Sequence, residues 1–473
     1  MIGRMTDKSN YKNVYFLGIG GIGMSAIARY YIHEGYRVAG YDRTATPLTK
    51  ELEAEGAEIH YEDDPELIPE AMRSADDTLV VLTPAIPADH REWEWLRNNR
   101  FRIEKRSQML GYLSAGHLVM AVAGTHGKTT TSTLCAWLNH AAAGEGCAFL
   151  GGISRNFSSN LVLGEGRRMV VEADEYDRSF LRLYPDVAVI TAADADHLDI
   201  YGTVEAVHEA FEQFASQIKD GGVLILKEGV ALDFDTSKRT LYRYSCSDGG
   251  DFHAENITLL DDGSYRYDIV LPDGRIEGCK LGILGRIHIE NSIAAVAMLW
   301  CAARIEGKPF DSEAVRRALS SFEGVKRRME LYINPAEQVY IDDYAHHPEE
   351  LRATMESLRG IFPGRHLTAI FQPHLYTRTR DFAAEFSEVL SMADDVILLP
   401  IYPAREEPIE GVCSELIGRA ITTEWQICER EALAGLLATH PTDVVVTFGA
   451  GNIDAVCKDV AEVLRNKVKD RRE

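Results

Sequence analysis

No two of the eight cysteines of this 473-residue chain stand as a C-x-x-C pair. Neither a disulfide framework nor a zinc site is indicated, and buried or inert thiols in a reducing cytosol are expected. No apolar run approaches the ~20 residues of a membrane-spanning helix. Residues Met1–Tyr11 are polar and lack the apolar core of a secretory signal, so a cytoplasmic protein is expected. Positive charge is scarce: 50 lysines and arginines against 73 aspartates and glutamates leave a formal net charge of −23. Such a surface repels nucleic acid and anionic membranes, and neither is expected as a partner. Anionic substrates must therefore be captured by local cationic sites. Internal repeats and low-complexity segments are missing too.

What is present is the profile of a globular enzyme, 45% hydrophobic and 26% charged. The length suggests about three domains at roughly 100–200 residues each. β-branched strands alternate with amphipathic helices: strands at Asn13–Leu17, Arg37–Asp42 and Thr78–Leu82 with a helix at Gly23–Glu34, then a second series from His117–Ala123 through Met169–Glu172 and Val187–Thr191. That rhythm predicts parallel sheets with helices on both faces. Between Asp251 and Lys280 short β runs broken by Asp-Gly turns predict hairpins added to the middle domain. A helix at Glu290–Ala303 follows, and the glycine and basic residues of Gly324–Arg328 suggest a hinge. A third series has strands at Val339–Ile341, Leu367–Phe371, Val396–Leu399 and Val444–Phe448. The expected fold class is α/β in three domains: a Rossmann-like N-terminal domain (1–115), a central P-loop ATPase-like α/β domain (116–323) and a Rossmann-like C-terminal α/β domain (324–473).

The strongest local signal is Ala123-Gly124-Thr125-His126-Gly127-Lys128-Thr129-Thr130, set between an apolar strand and a helical run. Glycines let backbone N–H groups wrap phosphate oxygens, and the following helix adds its N-terminal dipole. Lys128 is expected to neutralise the β- and γ-phosphates of a nucleotide, and the Thr129 hydroxyl to bind Mg²⁺. The general P-loop pattern needs a glycine where this chain has Val122, so this is a shorter G-x-x-G-K-T variant. Two further strand ends carry Glu172-Ala173-Asp174-Glu175 and Asp196-His197. Such positions face the crevice where α/β sheets bind ligands, and hard oxygen ligands suit Mg²⁺.

Gly18-Ile19-Gly20-Gly21-Ile22-Gly23 satisfies G-x-G-x-x-G between a strand and a helix, and Asp42 ends the next strand. The physics of that turn is a diphosphate on a helix N-terminus. NAD and UDP-sugars both carry one, so the motif selects a diphosphate nucleotide and leaves its identity open. In the third block, Asp342-Asp343-Tyr344-Ala345-His346-His347 ends a strand, and His374-Leu375-Tyr376-Thr377-Arg378-Thr379-Arg380 follows another. Acids and histidines there are costly unless solvated or functional. Arg378 and Arg380 are suited to grip a carboxylate or phosphate in two-pronged fashion, and Lys326-Arg327-Arg328 at the hinge to swing a guanidinium onto a nucleotide.

Taken in order, Gly18–Gly23, Gly124–Thr130, Glu172–Asp177, Asp196-His197, Asp342–Pro348, Phe371–Asp381 and Gly449–Asn452 resemble the Mur ligase family over nearly the whole chain. The resemblance implies ATP-dependent, Mg²⁺-assisted joining of L-alanine to the carboxylate of UDP-N-acetylmuramate in peptidoglycan synthesis, by a monomer or weak homodimer. It implies that the first domain holds the UDP-sugar at Gly18, Gly20, Gly21, Gly23 and Asp42. The middle domain would hold ATP at Gly124, Thr125, His126, Gly127, Lys128, Thr129 and Thr130, with Asn291 approaching the adenine. Thr129, Glu172 and His197 would be the metal ligands, and Lys128, Glu172, His197 and Arg378 the catalytic set. Arg328 and Asp343 would reach the nucleotide from the closing domain, and Tyr344, His346, Arg378 and Arg380 would surround the amino acid. Three departures stand out. Gly285-Arg286-Ile287-His288 replaces the frequent Gly-Arg-His-Asn. Leu375 stands where some alanine-adding members have arginine. No lysine occurs from Tyr201 to Gln217, where sister ligases carry a carbamylated one. Rival readings are a murein-recycling ligase that attaches a preformed peptide, against which Phe371–Asp381 argues, an NAD-dependent dehydrogenase, and a nucleotide-binding switch without catalysis.

Overall fold

The computed structural model describes residues 11–144, 146–194, 201–247, 249–333, 338–404 and 406–470. They build three sheets. The first contains β1 (Asn13–Leu17), β2 (Arg37–Tyr41), β3 (Glu58–His60), β4 (Thr78–Leu82) and β5 (Arg102–Lys105), all parallel, in the order β3-β2-β1-β4-β5. The order reverses between β1 and β4, the kind of switch point where open α/β sheets receive ligands. The glycine turn leaves β1 there and enters helix α1 (Ile22–His33).

The second sheet runs from β6 (Leu118–Ala123) through β7 (Cys147–Ser154), β8 (Ser159–Val162), β9 (Arg168–Glu172), β10 (Val187–Ile190), β11 (Val223–Lys227), β12 (Thr240–Ser245), β13 (Phe252–Leu259) and β14 (Tyr265–Leu271) to β15 (Gly274–Lys280). Its order is β15-β14-β13-β12-β11-β10-β6-β9-β7-β8, so the expected hairpins extend the central sheet at one edge. The third comprises β16 (Glu330–Ile333), β17 (Val339–Asp343), β18 (Leu367–Phe371), β19 (Asp395–Leu398), β20 (Glu424–Ile427) and β21 (Val444–Phe448), ordered β16-β17-β21-β18-β19-β20. The interior strands β1, β4, β6, β10, β18 and β21 are buried at every residue. Helices cover both faces of such sheets, which is why these segments read as continuous apolar runs and not as alternations. The chain forms two compact units, residues 1–255, 268–279 and 290–322 in one, and 256–267, 280–289 and 323–473 in the other. It passes finally from one to the other beside Gly324–Arg328. No helix among the described residues is long and apolar enough to cross a membrane.

Beside Tyr15 of β1 lies a buried titrating group. Glu92, whose side chain is fully buried, accepts from Tyr15 Oη–H at 2.6 Å and from the Asp64 amide at 3.2 Å. Burial pushes its carboxyl from 4.5 up to about 7. The native chain therefore binds this proton more tightly than the unfolded chain does. The associated stability is complete below about pH 4.5 and is lost as pH rises through about 7. Glu92→Gln is expected to flatten that fall, read as the urea midpoint at pH 5 against pH 8; an unchanged slope places the titration elsewhere.

Candidate active site

In the first unit several charged and hydroxyl side chains gather at the C-terminal ends of β6, β9 and β10. After β6 the chain turns at Gly124 with φ +134°, where a Cβ would stand 2.2 Å from Thr191 Oγ1 and 2.8 Å from the Ala192 nitrogen. Only glycine allows that approach. The Thr125 amide donates to Ala192 O at 3.1 Å, and the Thr191 hydroxyl donates to Ala123 O at 3.2 Å and to His126 O. Gly127, φ +77°, then opens helix α2 (Lys128–Ala143) without a side-chain cap. Thr46, Thr203 and Asp311 cap other helices with a side-chain oxygen; α2 has no such cap, an arrangement whose first-turn amides suit an anion.

The charged groups converge on this turn. Lys128 Nζ donates at 2.7 Å to Gly124 O and at 2.8 Å to Glu175 Oε1, with the two side chains 15% and 1% exposed. Burial raises the Glu175 pKa and Lys128 opposes it. Thr129 Oγ1 donates to Glu172 Oε1 at 3.1 Å, Ser132 Oγ to Glu172 Oε2 at 3.1 Å, and the Gly151 amide to Oε2 at 3.2 Å. A Cβ on Gly151 would fall 2.2 Å from Glu172 Oε1, so glycine in β7 makes room for this carboxylate. The hydroxyl of Thr129 and the carboxylate of Glu172 form a pair of hard oxygens of the kind Mg²⁺ takes. Asn291 comes to the same loop, its Oδ1 3.0 Å from a Cβ placed on Gly127. His126 is exposed and 3.8 Å from Asp194 Oδ2, and Thr130 turns inward at 7% exposure. Asp196 and His197 lie outside the described residues.

At the first glycine turn, Gly18 has φ +86° and Gly21 precedes α1, again with no side-chain cap. The Gly20 amide donates to Asp42 Oδ2 at 2.7 Å, so Asp42 is held on the loop itself. A Cβ on Gly23 would lie 2.5 Å from Arg106 Nη1. Arg106, the first residue of helix α3 (Arg106–Ser114), pairs with Asp174 at 3.0 Å. Asn160 of β8 donates to Ile22 O and to Ser25 Oγ at 2.9 Å, fastening α1 to the central sheet. Sequence patterns did not flag Arg106, Gly151 or Ser132. The glycine pair Gly151-Gly152 inside a strand was the one available signal, since glycine there marks close approach of another group.

In the second unit, β17 and β18 flank β21, which ends in the Gly449–Asn452 loop. Arg327 Nε donates to the buried Asp342 Oδ2 at 3.1 Å, and its other nitrogens donate to Gly451 O and Gly449 O. Arg327 and Arg328 both lie over the Tyr344 ring, 5.2 and 5.6 Å from its centroid. Asp343 is engaged internally, accepting from the Met329 and Ala345 amides and the Thr354 hydroxyl at 3.2, 2.9 and 3.1 Å; burial pushes its carboxyl up to about 6. His346 sits 3.3 Å from Glu350 and its ring centroid 5.9 Å from that of His374. Burial lowers its pKa, against Glu350 and with help from Arg378. Arg378 lies on the short helix Tyr376–Asp381, and its Nη1 is buried with no partner among the described residues. Leu375, before that helix, holds φ +69°, a strained backbone of the sort kept at binding sites. Arg380 is exposed and pairs with its neighbour Asp381 at 2.7 Å.

Residues 13–117, 122–299 and 327–451 match family models described as the Mur ligase catalytic domain, the Mur ligase middle domain and the Mur ligase glutamate ligase domain. The UDP-N-acetylmuramate–L-alanine ligase of Parabacteroides distasonis is 47% identical, covering 98% of this chain and 99% of the relative. The crystal structure of a UDP-N-acetylmuramate-alanine ligase from Thermotoga maritima aligns with TM-score 0.80 at 25% identity, covering 96% of this chain and 99% of that one. A murein peptide ligase from Psychrobacter arcticus shares the fold at TM-score 0.67 and 23% identity, over 96% and 99%. With all three domain models matched in order and a relative 47% identical over nearly the whole chain, the chain belongs to the Mur ligase family.

Proposed function

We propose that this chain joins L-alanine to the carboxylate of UDP-N-acetylmuramate via an acyl phosphate, with cleavage of ATP to ADP and phosphate. The observation that carries this reading is the assembly of Lys128, Thr129 and Glu172 on one phosphate-binding turn, in a chain 47% identical to a relative named for that reaction. Residues 1–115 hold the UDP-sugar, 116–323 hold ATP, and 324–473 complete the nucleotide site with Arg328 and receive the amino acid. One oxygen of the muramyl carboxylate attacks the γ-phosphorus of ATP. The bond from that phosphorus to the bridging oxygen breaks, and ADP leaves with the electron pair. The deprotonated alanine amine then attacks the acyl carbon, and the tetrahedral intermediate expels phosphate. Lys128 and the amides of α2 neutralise charge on the transferring group, so catalysis is mostly positioning and electrostatics. Arg378 holds the alanine carboxylate beside Tyr344 and His346, and His346, kept neutral by burial, accepts the amine proton. Thr129 and Glu172, with His197, would hold Mg²⁺, which supplies charge neutralisation at the nucleotide phosphates.

Gly151→Ala tests the metal-side carboxylate. The added Cβ forces Glu172 away from Thr129, and disturbing a ligand's supports typically costs about 10–100-fold in metal affinity. Half-maximal activity is therefore expected at about tenfold higher Mg²⁺, with ATP saturating; an unmoved Mg²⁺ curve removes Glu172 from the metal site. The reaction itself is tested by phosphate release with UDP-N-acetylmuramate, ATP, Mg²⁺ and each amino acid in turn. Release with alanine is expected. Release only with a preformed peptide would assign the chain to murein recycling, and release with no acceptor would overturn the reading.

A further inference from the structure

Between α1 and the central sheet is a cavity of about 100 Å³. One part of its wall is apolar, from Ala26, Ile27, Leu110 and Phe149; the rest includes Arg106 and the carboxylates of Glu172 and Asp174. The cavity suits a short branched acid with one methyl for the apolar wall and one carboxylate for a cation, which describes the lactyl arm of muramic acid.

We propose that Arg106 receives the carboxylate to be phosphorylated, and that Asp174 is the internal carboxylate which the substrate displaces; this rests on the functional reading above. Arg106 is placed for the task by Gly23, where a Cβ would stand 2.5 Å from Nη1 and 3.0 Å from Cδ of the arginine. The Arg106–Asp174 pair is 3.0 Å long and partly solvated, the side chains 24% and 34% exposed. Pairs of that exposure contribute little, so exchanging one carboxylate for another is nearly cost-free. Glu172, in the same cavity wall, is tied through Thr129 to the phosphate loop. A carboxylate on Arg106 thus shares its cavity with a carboxylate hydrogen-bonded to the phosphate loop, and the guanidinium offsets repulsion between the two anions.

The experiment compares equilibrium binding of UDP-N-acetylmuramate and UDP-N-acetylglucosamine, which lacks the lactyl arm, to the full chain. Arg106→Ala is expected to weaken the muramyl nucleotide about 10- to 100-fold, the range for losing a charge-assisted pair, and to leave the glucosamine nucleotide unchanged. Asp174→Asn is expected to act in the opposite direction, tightening the muramyl nucleotide alone. A merely structural ion pair would not give opposite signs. Should Arg106→Ala lower the unfolding temperature, Arg106→Lys keeps the charge without the two-pronged geometry and is expected to show the same selective loss. Equal weakening of both nucleotides would move Arg106 to the diphosphate, and no weakening of either would remove it from the site; both overturn the proposal. A wild-type protein that fails to prefer the muramyl nucleotide would overturn the functional reading itself.

Discussion

Lys128→Ala is expected to lower kcat by about 10²–10³ or more, because an electrostatic clamp on a transferring phosphoryl group is lost. The sequence alone suggests no structural cost, since the lysine stands at a helix start in a loop. The ion pair with Glu175 changes that expectation. Glu175 is 1% exposed and 2.8 Å from Nζ, and removing one partner of a buried pair destabilises strongly, typically by about 3–5 kcal/mol, unless the remaining acid protonates. Burial already raises the Glu175 pKa, so protonation absorbs part of that loss. The single variant is therefore expected to melt lower than wild type and to be inactive. Lys128→Ala with Glu175→Gln is expected to recover the melting temperature but not kcat. Recovery of turnover in the double variant, or near-normal kcat in the single one, would remove Lys128 from phosphoryl transfer.

Arg378→Ala is expected to raise KM for L-alanine about 30- to 150-fold, equivalent to ~2–3 kcal/mol, with little change in KM for ATP. A small amino acid has few atoms by which to be held, so its carboxylate needs a committed cation. Leu375 supplies none, and Arg380 is spent on Asp381 at the surface. Arg378 keeps a buried Nη1 with no partner among the described residues, an unmet donor in a cluster with His346. Arg380→Ala is the control and is expected to leave KM for alanine near wild type. A rise in KM for ATP with that for alanine unchanged would assign Arg378 to the nucleotide site and displace the acceptor pocket.

The parts readable from the sequence were those whose physics is local. A strand covered on both faces is apolar along most of its length, which marks Asn13–Leu17, Thr78–Leu82, Leu367–Phe371 and Val444–Phe448. A turn that wraps phosphate must have glycine where φ is positive, which marks Gly18, Gly124 and Gly127. The edge strands Glu58–His60 and Arg102–Lys105 are partly solvated, so their composition carries a weak signal. The side-chain partnerships belong to tertiary structure. Glu172 meets Thr129, Lys128 meets Glu175 and Arg106 meets Asp174 because the sheet sets β9 beside β6 and α1 packs on β7 and β8, joining residues 40–70 positions apart. Which hinge arginine is consumed was likewise undecided by Lys326-Arg327-Arg328. Burial of Asp342 demands a cation, and the geometry of β17 and the Gly449–Gly451 carbonyls selects Arg327. Local backbone preference and apolar patterning thus determined the elements and the loops. The counter-ion of each functional charge was decided only when folding removed water, because a buried charge must find its partner wherever the sheet order brings one.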